Sequence, residues 1–205
     1  MTQWVENPAG GRERGPRAIV RAWFEAIVRP RRFFPVGVAP SDQAPGLVFA
    51  MGVTLVASLL RFALAGETIF ATGYPTLGGR RALSVVLVLA VIVVLVAPLV
   101  LHLVAAVQTL LLMAFAPGRA GVSETVQVIG YATAPCVFVG LPSPIVGVLA
   151  TGYGAALLAI GIAEIHAVSI ARAAALSAIP ATIVFGIGYG GFEAFETLLR
   201  TWGTV

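Results

Sequence analysis

Residues 82–116 read ALSVVLVLAVIVVLVAPLVLHLVAAVQTLLLMAFA, thirty-five positions without a charged side chain. A helix crossing a hydrocarbon core of about 30 Å needs about 20 mostly apolar residues, and inside lipid its backbone polar groups must pair within the helix. As one helix the stretch would reach about 50 Å, well beyond a single crossing. Two crossings are not expected, because no polar turn separates the halves and each would fall near the lower length limit. The reading is one long helix, with Pro98 as the point of a kink or break.

Working outward, residues 46–66 (GLVFAMGVTLVASLLRFALAG) form a first span. Ser41 and Asp42 precede it as cap candidates, and Pro45 suits a first helical turn. Arg61 sits near its far end, where its stem can snorkel toward an interface. Downstream, Pro117 and Gly118 end the long run, and Ser123 with Glu124 opens a third span. Pro142, Ser143 and Pro144 separate the third span from a fourth. Glu164, His166 and Arg172 mark the turn into a fifth, which contains Pro180.

The expected fold class is all-α: a multi-pass membrane helix bundle with five transmembrane helices at about 46–66, 82–116, 123–141, 145–167 and 173–189. A cytosolic arm (1–43) precedes them, with a basic amphipathic interfacial helix at about 15–30, and a short tail (191–205) follows. Short loops make consecutive helices antiparallel neighbours. The alternation of a membrane barrel and the internal repeats of many transporters are both missing from the sequence.

Composition excludes the soluble classes. Of the 205 residues, 59% are hydrophobic and 11% charged, where a soluble domain has roughly 45–50% and about 25%. Mean hydropathy is +0.96. The first 43 residues are polar and Arg-rich, so no cleavable signal peptide is expected. The single Cys136 has no intramolecular disulfide partner.

Every one of the 13 cations is Arg. Arg12, Arg14, Arg17, Arg21, Arg29, Arg31 and Arg32 precede the first span. Arg119 and Arg172 fall on the same side, and Arg80, Arg81 and Arg200 on the other. The positive-inside rule then places the N-terminus in the cytoplasm and the C-terminus outside, in a cell membrane.

In the arm, GPRAIVRAWFEAIVRP (15–30) puts Arg17, Arg21, Glu25 and Arg29 at i,i+4 spacing on one face. Ile19, Val20, Trp23, Phe24 and Ile27 form the opposite face, and Pro30 is the expected stop. Such a helix lies flat among headgroups. Arg17, Arg21, Trp23, Phe24, Arg29, Arg31 and Arg32 are the expected membrane-surface contacts, with anionic headgroups as partners. Lipid explains the aromatic face better than nucleic acid does, so no nucleic-acid partner is expected.

Recognisable chemistry is sparse. Glu164 and His166 are two apart and diverge on a helix. No zinc pattern or P-loop is present. TGYGA lacks the third glycine and the strand of a dinucleotide site, and its small residues suit helix packing. Glu193 and Glu196 share a face without a tuning partner, and Ser143, Ser169 and Ser177 have no adjacent Asp or His. No catalytic residue, cofactor or metal is expected. His102, four residues after Pro98, sits by the carbonyl that the proline frees.

The third span carries GYATAP, with Gly130, Tyr131 and Pro135, between the turn PGRAGVSETVQVI and the prolines at 141–144. The fourth ends in GIAEIHAVSIARA. With His102 near the end of the second span, the glycine-containing loop at 118–121, and His166 and Arg172 at a turn, this order resembles the Yip family, the Ypt/Rab-interacting membrane proteins, in its prokaryotic branch. The likeness covers roughly residues 17 to 189. It implies five membrane helices, a cytosolic N-terminus, no known catalytic activity and a membrane-organising, scaffold or trafficking-like adaptor role. Other membrane proteins are expected partners. Eukaryotic members contact Rab-type GTPases through an acidic-aromatic motif of Asp-Leu-Tyr type. Here Asp42 is the only Asp and no Tyr precedes Tyr74, so a Rab-type GTPase is not expected. The alternative function is a small transporter or permease subunit with a polar path near His102, Gln108 and Tyr131.

Overall fold

The computed structural model describes residues 5–6, 12–13, 15–71 and 76–203. Arg14 and the last two residues of the tail lie outside them. Apart from a two-residue antiparallel ladder pairing Val5–Glu6 with Arg12–Glu13, the described chain is helical.

Gly15, in the left-handed region at φ 94°, leads into α1 (Pro16–Val28), where Pro16 supplies the fixed φ of a first turn. Pro30 follows directly on the end of α1, as expected of a stop. It opens a second helix, α2 (Pro30–Gly37), because a proline tolerated poorly inside a helix is well placed at its first position. Asp42 then accepts the Ala44 N–H (3.1 Å) at the head of α3 (Ala44–Ala71).

α4 (Arg81–Ala90) passes through six π-helical residues, Val91–Val96, into α5 (Ala97–Phe115). The long run is thus one helix, and it is not broken at Pro98. The missing N–H and the bulk of the ring fall on the preceding turn, where widening to π geometry makes room for them. This helix lies at the periphery: Val86, Leu95, Leu99, Leu103 and Leu110 are each 59–65% exposed. In lipid, large apolar side chains need no burial, and close helix contacts fall to small ones.

The third span departs from the expected continuous helix. α6 (Val122–Ala132) is followed by a 3-10 segment, Ala134–Gly140, bent by 41°. The break falls at Thr133, just before Pro135, which cannot donate to the helix ladder. The hydroxyl of Thr133 donates to the Gly130 carbonyl at 2.7 Å. α7 (Pro144–His166) follows, capped by Ala167 in left-handed conformation. Next comes α8 (Ile170–Ala181), continued by a π segment, Thr182–Gly188. Gly190, at φ 73°, turns the chain into α9 (Gly191–Gly203). The expected short tail is thus an amphipathic helix, with Phe192, Phe195, Leu199 and Trp202 exposed along one side.

Among the described residues, four helices are long and apolar enough to cross a membrane: Ala44–Ala71, Arg81–Phe115, Pro144–His166 and Ile170–Gly188. The bent pair passes the same test when taken together, which makes four or five candidate spans. A Cβ on Gly130 would strike the Gly46 carbonyl, and one on Gly140 the Ala57 carbonyl. The pair therefore advances in parallel with α3 from its start to its middle. Against α7 the order reverses, Gly161 meeting Val128 and Gly154 meeting Ala132. Eleven α-helical and seven 3-10 residues span about 30 Å, enough for one passage. Residues 125–136 are all buried, so this broken span is the axis around which the others stand.

Candidate functional site: the arm on the bundle

Around α1 each residue turns by about 100°, which sorts the helix into three edges. Ala18, Ala22 and Ala26, four apart, are fully buried against the bundle. Ile19, Trp23 and Ile27 flank them, half-buried. Val20, Phe24 and Val28 face away from the protein at 65%, 56% and 52% exposure, with Arg17 beside them. The expected apolar face is thus divided, one side turned to protein and the other outward. The alanine edge escaped the sequence reading because Ala carries no strong hydrophobic signal, yet its small size is what lets the helix lie close.

Four joints hold the arm. The Trp23 indole donates from Nε1 to the Ala134 carbonyl (2.8 Å), and its ring lies 5.9 Å from Phe138. The hydroxyl of Tyr153 on α7 donates to the Ile27 carbonyl. In α2, Phe33 and Phe34 are buried in the common core. The Tyr131 ring receives Phe33 edge-on at 4.9 Å and Phe49 of α3 at 5.1 Å. Phe34 lies over Gly161, where an added Cβ would come within 2.8 Å of its ring.

The fourth joint is Gln127, which the sequence reading did not single out. Its Oε1 accepts the Ala39 N–H at 2.9 Å, and its Nε2 donates to the Ala39 carbonyl at 2.6 Å. A primary amide has the donor–acceptor pair of a peptide edge, so Gln127 satisfies both backbone groups of the residue that links arm to first span. A second donation from Nε2, to the Ser123 carbonyl (3.3 Å), orients the amide. The available signal was a lone amide in an apolar helix opposite the proline-flanked connector PVGVAPSDQAP.

Tyr131 is fully buried, Gly130 makes the crossing with α3, and Pro135 is buried in the 3-10 segment. His166 is buried at the end of α7, with Nε2 3.4 Å from the Thr125 hydroxyl. Arg172 is exposed near the start of α8, its N–H capped by Ser169. Arg17, Arg29, Arg31, Arg32 and Phe24 are exposed, Arg21 is half-buried, and Trp23 turns inward. Glu196 pairs with Arg200 along exposed α9.

The residues of the polar-path reading do not converge. His102 is exposed, and its Nδ1 meets the Pro98 carbonyl one turn back at 2.7 Å. Gln108 points inward and donates to the Leu176 carbonyl at 3.3 Å. Six helical residues separate the two, a rotation of about 120°. Tyr131 is enclosed by aromatic rings.

The family model of the Yip1 domain matches residues 24–191. No curated protein and no solved structure matches the chain. The matched stretch opens inside α1, takes in the Phe33–Tyr131 and Gln127–Ala39 joints and every crossing, and closes as α9 begins. The chain therefore belongs to the Yip1 domain family.

Proposed function

We propose that this protein is a non-catalytic membrane scaffold. Its bundle holds a cationic arm at the cytoplasmic surface of the cell membrane, where the arm meets anionic headgroups and other membrane proteins. The observation that carries this reading is the outward edge of the arm. Val20, Phe24 and Val28 form an unburied apolar row beside the exposed cations Arg17, Arg29, Arg31 and Arg32, on helices tied to the core at four points. Apolar contact with the headgroup boundary and cationic contact with anionic lipid act together in such a helix. The arginine bias toward the arm supports a cytoplasmic N-terminus and an external C-terminus.

Deleting the arm is a poor test, because Phe33 and Phe34 belong to the core. The test is Arg17→Gln, Arg29→Gln, Arg31→Gln and Arg32→Gln combined, which leaves the joints intact. Protein solubilised from its native membrane with bound partners and lipids should retain fewer of both in the variant than in the wild type. Identical partners and identical anionic-lipid content would refute the scaffold role of the arm.

A further inference from the structure

Around the far half of α3, a cleft of about 330 Å³ opens between α3, the π segment of α4–α5, the end of the 3-10 segment and the end of the α8 π segment. Arg61 is the one charged residue lining it among those described, and Thr54, Ser58 and Tyr189 bring hydroxyls. The hydroxyls of Thr54 and Tyr189 lie 3.0 Å apart, bonded to each other. Arg61 is exposed and makes no ion pair among the described residues. It stands about 25 Å along α3 from the arm end. In a hydrocarbon layer of about 30 Å, that depth is the boundary of the far leaflet.

The cleft continues. A second cavity of about 120 Å³ shares Thr54, Ile92, Gly188 and Tyr189 with it, then runs past Val100 and Ile129 toward the middle of the bundle. Beyond the shared hydroxyls its lining is almost wholly apolar. A cation at the headgroup level, hydroxyls beside it and an apolar extension leading inward reproduce the polarity of one lipid molecule. A guanidinium at a membrane boundary is stabilised by an anion that accepts its planar N–H groups, and a phosphodiester does so well.

We propose that this cleft binds one anionic glycerophospholipid of the leaflet opposite the arm. Its phosphate is held by Arg61 and the Ser58 hydroxyl, and part of one acyl chain lies in the apolar extension past Ile92 and Tyr189. The site is separate from the arm, so the two readings stand or fall apart.

The test uses the full chain in detergent, with phosphatidylglycerol, phosphatidylcholine and inorganic phosphate as probes, read by native mass spectrometry and by thermal stabilisation. Wild type should retain one phosphatidylglycerol in preference to phosphatidylcholine. Inorganic phosphate should not displace it, since the chain contributes to binding. Arg61→Gln should weaken retention by about tenfold or more, the effect of losing one charge-assisted pair. Arg61→Lys should retain an intermediate share, and Arg81→Gln, which changes a cation stacked on Phe70 outside the cleft, should behave as wild type. Ile92→Trp, which fills the extension without altering charge, should also weaken retention. Failure of wild type to discriminate between the two lipids would overturn the proposal and needs no variant. So would equal losses in Arg61→Gln and Arg81→Gln, or displacement of the lipid by inorganic phosphate.

Discussion

Replacing Gln127 by Leu keeps a side chain of similar bulk and removes every polar atom from the joint between arm and first span. The Ala39 N–H and carbonyl, bonded to Gln127 at 2.9 and 2.6 Å, are left buried without that partner. Each such orphan costs about 1–3 kcal/mol, so the substitution should destabilise the joint by about 2–6 kcal/mol, toward the low end where water can enter. Gln127→Glu should fall between. Its carboxylate can still accept the Ala39 N–H, but it cannot donate to the carbonyl, which it would face with like partial charge. Two measurements separate local from global loss: thermal unfolding in detergent, and limited tryptic cleavage after Arg31 and Arg32. Gln127→Leu should speed arm cleavage at temperatures where the spans remain folded. Wild-type cleavage and wild-type unfolding in the same variant would mean that Trp23, Phe33 and Phe34 hold the arm unaided, and the reasoning would fail.

Gly130→Ala should destabilise by about 1–3 kcal/mol, because the new methyl meets the Gly46 carbonyl and α3 must shift; Gly152→Ala, with nothing within 4 Å, should unfold with the wild type. Tyr131→Phe should be mild, since the ring keeps Phe33 and Phe49, whereas Tyr131→Ala should cost about 3–5 kcal/mol, both read by thermal unfolding. Pro135→Leu should lower folded yield in detergent more than Tyr131→Phe does. Reporters fused before Met1 and after Val205 should lie on opposite faces of the membrane, and a signal on the same face would contradict five crossings.

Much of the architecture was legible because lipid imposes a length test. A run such as 82–116 has one stable solution, and short polar loops leave antiparallel packing as the default. Pro98 and Pro135 were visible as irregularities, but their consequences differed. At the periphery, where Val93 alone of the segment is buried, the residues before Pro98 widen into a π segment. At the centre, where residues 125–136 are enclosed on all sides, the chain breaks at Thr133 into a tighter helix. The arm was legible as an amphipathic helix, but which apolar edge would meet protein was not. Trp23 and Phe24 are adjacent and equally apolar in sequence, yet one bonds to Ala134 and the other faces away.

Apolar run length and arginine placement are properties of the chain read in one dimension, and the sequence by itself determined from them a membrane bundle, its apolar spans and an amphipathic arm. The locking of that arm joins residues far apart: 111 positions separate Trp23 from Ala134, and 88 separate Ala39 from Gln127. Only the tertiary structure decided those pairs. A hydrogen bond between distant residues depends on angstrom-scale approach of two backbones, and that approach is set by glycines at the crossings, whose effect no local pattern records.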